Sequence, residues 1–366
     1  MRVLHLLNHS KRLNGHVHAA VDLSCAQKKQ GHEVSIASGS GDFDDLLKRQ
    51  GVERFEISHE RRPFTLLKSL WKLFFLVRKW KPDVIHAHMM TSAVLAWPVC
   101  KLLRIPLVTT VHNEFEKSAD LMRLGDRVIA VSQAVRDSME RRGVPASKLR
   151  VVLNGTIGSA RFEERDDTKA DLKHPAILIV AGLHPRKGLT YLLEAFDSAW
   201  EKYPAANLYI VGSGPHELEY REKAAAQSSS GNITFLGGQN EPFKWMEAAD
   251  IFVLPSLADP APLVICEARE AGCAVIGSDA GGIPQLLEYG EAGLIVPAQN
   301  SAALAEELCK LLAEPQTLAE WKKRSQIRIS YLTVDRVALQ TCEIYANIRG
   351  SFGKSAIEPD AHRMEQ

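Results

Sequence analysis

"AILIVAGLHPRKGLTYLLEAF" (176–196) holds six consecutive aliphatic residues, a turn carrying Arg186 and Lys187, and then apolar positions at helical spacing. The aliphatic run shows no polar alternation, so both faces of the strand are covered, as in a parallel sheet. The strand is predicted to end at Gly182 and the helix to open at Gly188, which makes one βα unit. Working outward, the unit recurs. "RVLHLL" (2–7), "HEVSIAS" (32–38), "DVIHAH" (83–88), "PLVTTVH" (106–112) and "RVIAVS" (127–132) precede it, with amphipathic stretches such as 17–30 and 91–104 between them. "NLYIVGSG" (207–214), "ITFLG" (233–237), "DIFVLPS" (250–256), "AVIGSD" (274–279) and "GLIVP" (293–297) follow it. This alternation predicts an α/β fold with parallel sheets covered by helices on both faces. The pattern restarts after the polar stretch "ARFEERDDTKADLKHP" (160–175), so the chain reads as two doubly wound domains joined near 155–175. Ligands of such sheets sit beyond the carboxyl ends of the strands, and the expectation is two domains facing each other across a cleft that holds the site.

Length and charge agree with that organisation. A chain of 366 residues exceeds one ordinary core and suits two domains. The net charge of +1 carries no nucleic-acid signature. The halves differ, with 28 Lys and Arg against 20 Asp and Glu in residues 1–171, and 17 against 24 in the rest. A basic front half suits an anionic surface. The six cysteines form no CxxC pair and the histidines no zinc-ligand spacing, so a reduced compartment and no structural metal are expected. The apolar start "MRVLHLL" stops at Asn8, short of a signal-peptide core or a spanning segment, and a cytoplasmic location is expected.

The chemistry concentrates in the second half. Arg186 and Lys187 lie at the carboxyl end of a strand beside the positive end of a helix, where cations repel one another unless an anion lies between them. A diphosphate suits that place. In "SLADPAPLVICEAREAGCAVIGSD" (256–279), Pro260 and Pro262 deny helix until about Leu263, whose backbone N–H groups then begin a helix unpaired. Those donors suit phosphate, Glu267 one turn in suits a vicinal diol such as a ribose, and Asp259 suits hydroxyls beyond the phosphates. "VGSGPHE" (211–217) resembles a phosphate turn, but Glu217 replaces its third glycine, so Gly212 and Gly214 read as a tight turn near the site rather than a dinucleotide fingerprint. "GDFDD" (41–45) offers an Asp-x-Asp spacing and reads as a solvated helix start capped by Asp42. No G-x-x-x-x-G-K-[ST] stretch occurs.

These stretches, in order, resemble the family 4 retaining nucleotide-sugar glycosyltransferases, of GT-B architecture, over about residues 1–348. The carriers include "NGHVHAAVDLSCAQKKQGHEVSIAS" (14–38), "PDVIHAH" (82–88), "TTVHN" (109–113), "VVLNG" (151–155), "RKGLTYLLEAF" (186–196) and "DPAPLVICEAREAGCAVIGSDAGGIPQLL" (259–287). The resemblance implies two Rossmann-like domains: residues 1–165 on the acceptor side, with a helix at 333–348 crossing back to it, and residues 166–332 binding the donor. It places the family's Glu-x7-Glu on Asp259 and Glu267, donor contacts on the backbone of Ala261, Leu263 and Val264, and the diphosphate lysine on Lys187. The histidine near the transferred sugar falls on His112, and the first glycine turn on Gly15. Three residues depart from the family pattern: Asp259 for glutamate, Gly182 for the usual arginine, and Asn14 for the first of two glycines. The arginine's donors at 182 then fall to Arg186.

The implied reaction is hexosyl transfer from a nucleotide-diphosphate sugar to a hydroxyl of a glycan or lipid-linked acceptor, in bacterial-type surface polysaccharide or lipopolysaccharide synthesis. No cofactor and no metal are expected, because Lys187, Arg186 and the helix start near Leu263 would stabilise the leaving diphosphate. A sugar-nucleotide 2-epimerase-like enzyme and a non-catalytic partner in polysaccharide assembly are the competing readings. The stretch 61–82, from Arg61 onward, interleaves cations with Leu, Trp and Phe. It reads either as a crossover helix or as a contact with an anionic membrane, peripheral on the inner face of the plasma membrane. The tail 350–366 has little apolar content and reads as disordered.

Overall fold

The computed structural model describes residues 1–12, 14–60, 62–163 and 170–354. Two compact units divide it. The first comprises Met1–Leu153, Gly158–Arg161 and the chain from Val334; the second comprises Asn154–Ile157 and Phe162–Thr333.

In the first unit seven parallel strands form one sheet: β1 (Arg2–Leu6), β2 (Glu33–Ser38), β3 (Glu53–Glu56), β4 (Val84–Ala87), β5 (Leu107–Val111), β6 (Arg127–Ala130) and β7 (Leu149–Val151). Their order is β3-β2-β1-β4-β5-β6-β7. The central strands are apolar on both faces because helices cover both, and Val3, Ile36, Val84, Val108 and Ile129 are buried in one core with Val17, Val21 and Tyr345. Sequence periodicity does not reveal β3 or β7. β3, "ERFE", is an edge strand whose Arg54 pairs with Asp44 at 2.8 Å, and β7 is three residues long with Arg150 exposed between its apolar neighbours. Edge strands need only one partner and no continuous apolar run.

The second unit carries six parallel strands: β8 (Ala176–Val180), β9 (Asn207–Val211), β10 (Ile233–Gly237), β11 (Ile251–Leu254), β12 (Ala274–Ser278) and β13 (Leu294–Val296). Their order is β10-β9-β8-β11-β12-β13. In each sheet the first strand of the unit sits centrally, the second and third lie to one side, and the fourth onward lie to the other. The connections therefore part company between β1 and β4 and between β8 and β11, and these are the switch points at which doubly wound sheets bind ligands.

Three boundaries differ from expectation. Asn154–Ile157 already belongs to the second unit, held by Thr156 and Ile157 N–H donation to Leu332 O at 2.9 and 3.1 Å. Gly158–Arg161 returns to the first unit because the Arg161 guanidinium grips Asp22 through two bonds of 2.9 Å. The C-terminal helix runs Val334–Lys354, packs on the helix Gly15–Lys29, and thus extends into the stretch expected to be a disordered tail; residues 355–366 lie outside the described residues, as do Arg61 and 164–169. Asp42 is not a helix cap: Phe43 holds the cap position of the helix Asp44–Arg49, and the Asp42 carboxylate instead accepts from Arg12 N–H at 2.9 Å.

Candidate functional site

At the switch point of the second unit, the chain leaving β8 makes the short turn Pro185–Lys187 while the chain leaving β11 runs through Pro255 to Pro262. The two meet at Gly188, whose φ is 71° and where a Cβ would stand 1.9 Å from Pro255 O. Only glycine permits both. Leu257 N–H then donates to Arg186 O at 2.7 Å, and Lys187 Nζ reaches Asp259 Oδ2 at 2.5 Å. Ser256 Oγ lies 3.4 Å from the same carboxylate oxygen. Side-chain exposures of 21% for Lys187 and 7% for Asp259 place this ion pair largely out of water, where each charge depends on its partner.

The helix Leu263–Glu270 begins beside Asp259. Pro262 in its cap position supplies no side-chain acceptor, so the N–H groups of Leu263 and Val264 are uncapped by any side chain. Ala261 O accepts from Asn154 Nδ2 at 2.8 Å, which pins the approach to the helix. Glu267 is buried one turn in, at 4% exposure. Arg269 seats the helix: fully buried, it donates to Ser325 O at 2.8 Å and to Leu286 O and Ile327 O. The sequence holds a faint signal for it, a lone arginine on an otherwise apolar helical face.

Gly212 and Gly214 serve the backbone beside this turn. Gly212 has φ 143°, and a Cβ on either residue would run into the chain leaving β8, 1.8 Å from Ala181 O or 2.4 Å from Leu183 O. At Gly182 the nearest atom to a Cβ would be Ser213 O at 3.9 Å, so the position that departs from the family arginine has room for a Cβ.

In the first unit, His112 follows β5 and is half-buried. Its Nε2 lies 3.1 Å from His88 Nδ1, and its Nδ1 has no hydrogen-bond partner among the described residues. Burial, reinforced by His16, pushes the His112 pKa down to about 3, so its ring is neutral at physiological pH. His16 stands nearby, with ring centroids 6.3 Å apart and a buried Nε2 that lacks a partner. Gly15 opens the helix Gly15–Lys29, and a Cβ there would have no protein atom within 4 Å.

Behind His112 the sheet builds a histidine cluster that sequence spacing does not reveal. β1 and β4 pair in a register that sets His5 opposite His86, and His88 follows β4. His5, His86 and His88 are the group among the described residues able to offer three ligand atoms to a metal. Their six nitrogens are already engaged, however. His5 bonds His88 Nε2 and Gln27 Oε1, each at 2.9 Å, while His86 bonds Tyr345 Oη and Thr110 Oγ1, each at 2.6 Å; the remaining His88 nitrogen meets His112. A metal bound by these rings would have to displace hydrogen bonds that each of them already makes.

Two family models match the chain: "Glycosyltransferase Family 4" over residues 13–156 and "Glycosyl transferases group 1" over residues 160–328. This chain belongs to the family 4 glycosyltransferases. It is 27% identical over 309 residues to a phosphatidyl-myo-inositol mannosyltransferase of Mycolicibacterium smegmatis, covering 79% of this chain and 78% of the other. It is 27% identical over 301 residues to a D-inositol 3-phosphate glycosyltransferase of Streptomyces bingchenggensis, covering 72% and 66%. The fold matches the crystal structure of Anabaena Alr3699/HepE in complex with UDP, with a TM-score of 0.79 at 20% identity over 95% of this chain and 100% of that one.

For a glycosyltransferase the chemistry of the second unit is apt. Lys187 offers an ammonium against Asp259, four residues before an uncapped helix start, and such groups can stabilise a leaving anion; Asp259 and Glu267 are both buried. Asp259 offers Oδ1, which has no hydrogen-bond partner among the described residues, as an acceptor for a hydroxyl.

Proposed function

We propose that this glycosyltransferase moves a hexosyl group, with retention, from a nucleotide-diphosphate sugar to a hydroxyl of a glycan or lipid-linked acceptor, and that it needs no metal. The observation that carries this reading is the Lys187–Asp259 pair at the β8/β11 switch point, beside the uncapped start of Leu263–Glu270. On diphosphate binding, Lys187 trades a carboxylate oxygen for phosphate oxygens, and Arg186 and the N–H groups of Leu263 and Val264 share the charge. In the second unit Glu267 holds the ribose diol and Asp259 a hydroxyl of the transferred sugar, and in the first unit His112 accepts from a sugar hydroxyl. As the sugar–phosphate bond breaks, the acceptor oxygen bonds to the anomeric carbon from the face the diphosphate leaves, and a phosphate oxygen takes the acceptor's proton. The UDP bound in the structural neighbour supports a nucleotide donor, and the lipid acceptor named for the mycobacterial relative supports a lipid-linked one.

The helix Pro63–Trp80 supports the acceptor side. Phe64, Leu67, Trp71 and Phe75 are exposed along one sector, Phe64 at 90%, with Lys68 and Lys72 beside them. Leu73 and Val77 occupy the buried face. An aromatic and basic outer face of this kind lies in an anionic lipid interface, which makes the enzyme peripheral on the inner face of the plasma membrane and suits surface polysaccharide or lipopolysaccharide synthesis. No described helix is long and apolar enough to cross a membrane.

Thermal shift with UDP-, GDP- and ADP-sugars tests the donor, since a ligand stabilises the state that binds it. One nucleotide series raises the Tm, Lys187→Ala loses that shift and about 10²–10³-fold in turnover, and EDTA leaves turnover intact. A Lys187→Ala enzyme with full turnover sinks the scheme, and activity abolished by EDTA and restored by a divalent ion overturns its metal-free part.

A further inference from the structure

The buried hydrogen bonds behind His112 form one continuous path. It runs from His112 Nε2 to His88 Nδ1, from His88 Nε2 to His5 Nδ1, and from His5 Nε2 to Gln27 Oε1. Gln27 Nε2 continues to Tyr345 Oη at 3.4 Å, Tyr345 Oη to His86 Nδ1, and His86 Nε2 to Thr110 Oγ1. Every member belongs to the first unit, and Tyr345 is contributed by the C-terminal helix.

A neutral imidazole carries one N–H, so a bond on one nitrogen dictates what the other presents. Burial lowers the pKa of His5 to about 4 and holds those of His86 and His88 well below the ordinary value, which keeps each ring at one proton. Gln27 presents its carbonyl oxygen to His5, so His5 Nε2 bears the hydrogen and His5 Nδ1 accepts from His88 Nε2–H. His88 Nδ1 in turn accepts from His112 Nε2–H. His112 is left with a bare Nδ1, an acceptor, on the side without a protein partner. Reversing the amide would reverse every bond and make His112 Nδ1 a donor. The path contains an amide, which transmits polarity and does not carry protons onward.

We propose that Gln27, anchored by Tyr345, acts through His5 and His88 as a positioning residue that fixes the tautomer of His112, so that His112 Nδ1 takes a hydrogen bond from a hydroxyl of the bound sugar. The last clause rests on the proposed donor reading; the tautomer itself does not. The helix Val334–Lys354 thereby has a chemical role through Tyr345 in addition to its packing.

Long-range ¹H–¹⁵N correlation spectra of the ¹⁵N-labelled full-length protein, without substrate, report the tautomer directly, with His112 assigned by its loss in His112→Gln. The wild type is expected to show protonated Nε2 and bare Nδ1 at His112. Gln27→Met removes the amide that sets the polarity, and Tyr345→Phe, which keeps the ring and its packing, loosens it. In each variant that folds, the His112 signals shift toward a tautomer mixture, and turnover falls about five- to tenfold, the loss expected for one neutral hydrogen bond. A wild-type His112 protonated at Nδ1, or His112 signals unchanged in both variants, overturns the relay. A mixed tautomer with unchanged turnover leaves the relay standing and removes His112 from the sugar.

Discussion

Asp259 accepts from Lys187 Nζ and Ser256 Oγ on the same oxygen, Oδ2. A bound diphosphate would therefore compete with this carboxylate for the only ammonium that the turn Pro185–Lys187 supplies. Removing the carboxylate separates two functions that the residue would combine. In Asp259→Ala, UDP is expected to bind at least as tightly as in the wild type by titration calorimetry, because Lys187 is freed, while transfer from the intact donor falls about 100-fold as sugar contacts are lost. A parallel loss of UDP affinity would show that the pair builds the phosphate site rather than competing with it. Lys187, Asp259 and Glu267 stand out in the sequence because each sits in a loop or within two turns of a helix start, with its own local signature. Their pairing was not, since Lys187 and Asp259 are 72 positions apart and meet only because β8 and β11 are neighbours.

The helix Pro63–Trp80 shows what periodicity leaves open at the scale of an element. Alternating cations and apolar residues fit both a crossover helix and a membrane-facing one, and the structure assigns part of the apolar set to each face. Leu73 and Val77 are buried, while Trp71 and Phe75 stack on the outside with ring centroids 6.0 Å apart. Lys68→Glu with Lys72→Glu is expected to abolish co-sedimentation with anionic vesicles at low salt while leaving the Tm within about 2 °C, because exposed substitutions cost little. Failure of the wild type to bind such vesicles at low salt would remove the membrane reading. The helix Leu263–Glu270 is the contrasting case: the prolines that delay it and the apolar positions that follow mark it in the sequence, yet the carbonyls that receive Arg269 come from residues 286, 325 and 327.

Across the molecule, histidine is distributed unevenly. His5, His16, His18, His59, His86, His88 and His112 all lie in the first unit, and burial is the leading cause that holds each below the ordinary value of 6.5. Unfolding at mildly acidic pH lets these rings bind protons that the folded unit refuses. Stability is therefore full above about pH 6.5 and falls as the pH drops from there through about 3, by about 1.4 kcal/mol per pH unit for each histidine taking up its proton. Hydrogen exchange at pH 5 is expected to show β1, β4 and β5 losing protection before β8, β11 and β12. Equal loss in both units would contradict this account.

By itself the sequence determined the fold class and the two-domain plan, and it marked the loops after β8 and β11, because central parallel strands must be apolar on both faces and glycine, proline and charge mark their turns locally. Only the tertiary structure decided which of those groups touch. His5 lies opposite His86 through strand register, Lys187 meets Asp259 through strand order, and Tyr345 closes the relay through the return of a C-terminal helix. Register and order are set by how crossovers pack over the whole sheet, and no local stretch of sequence encodes them.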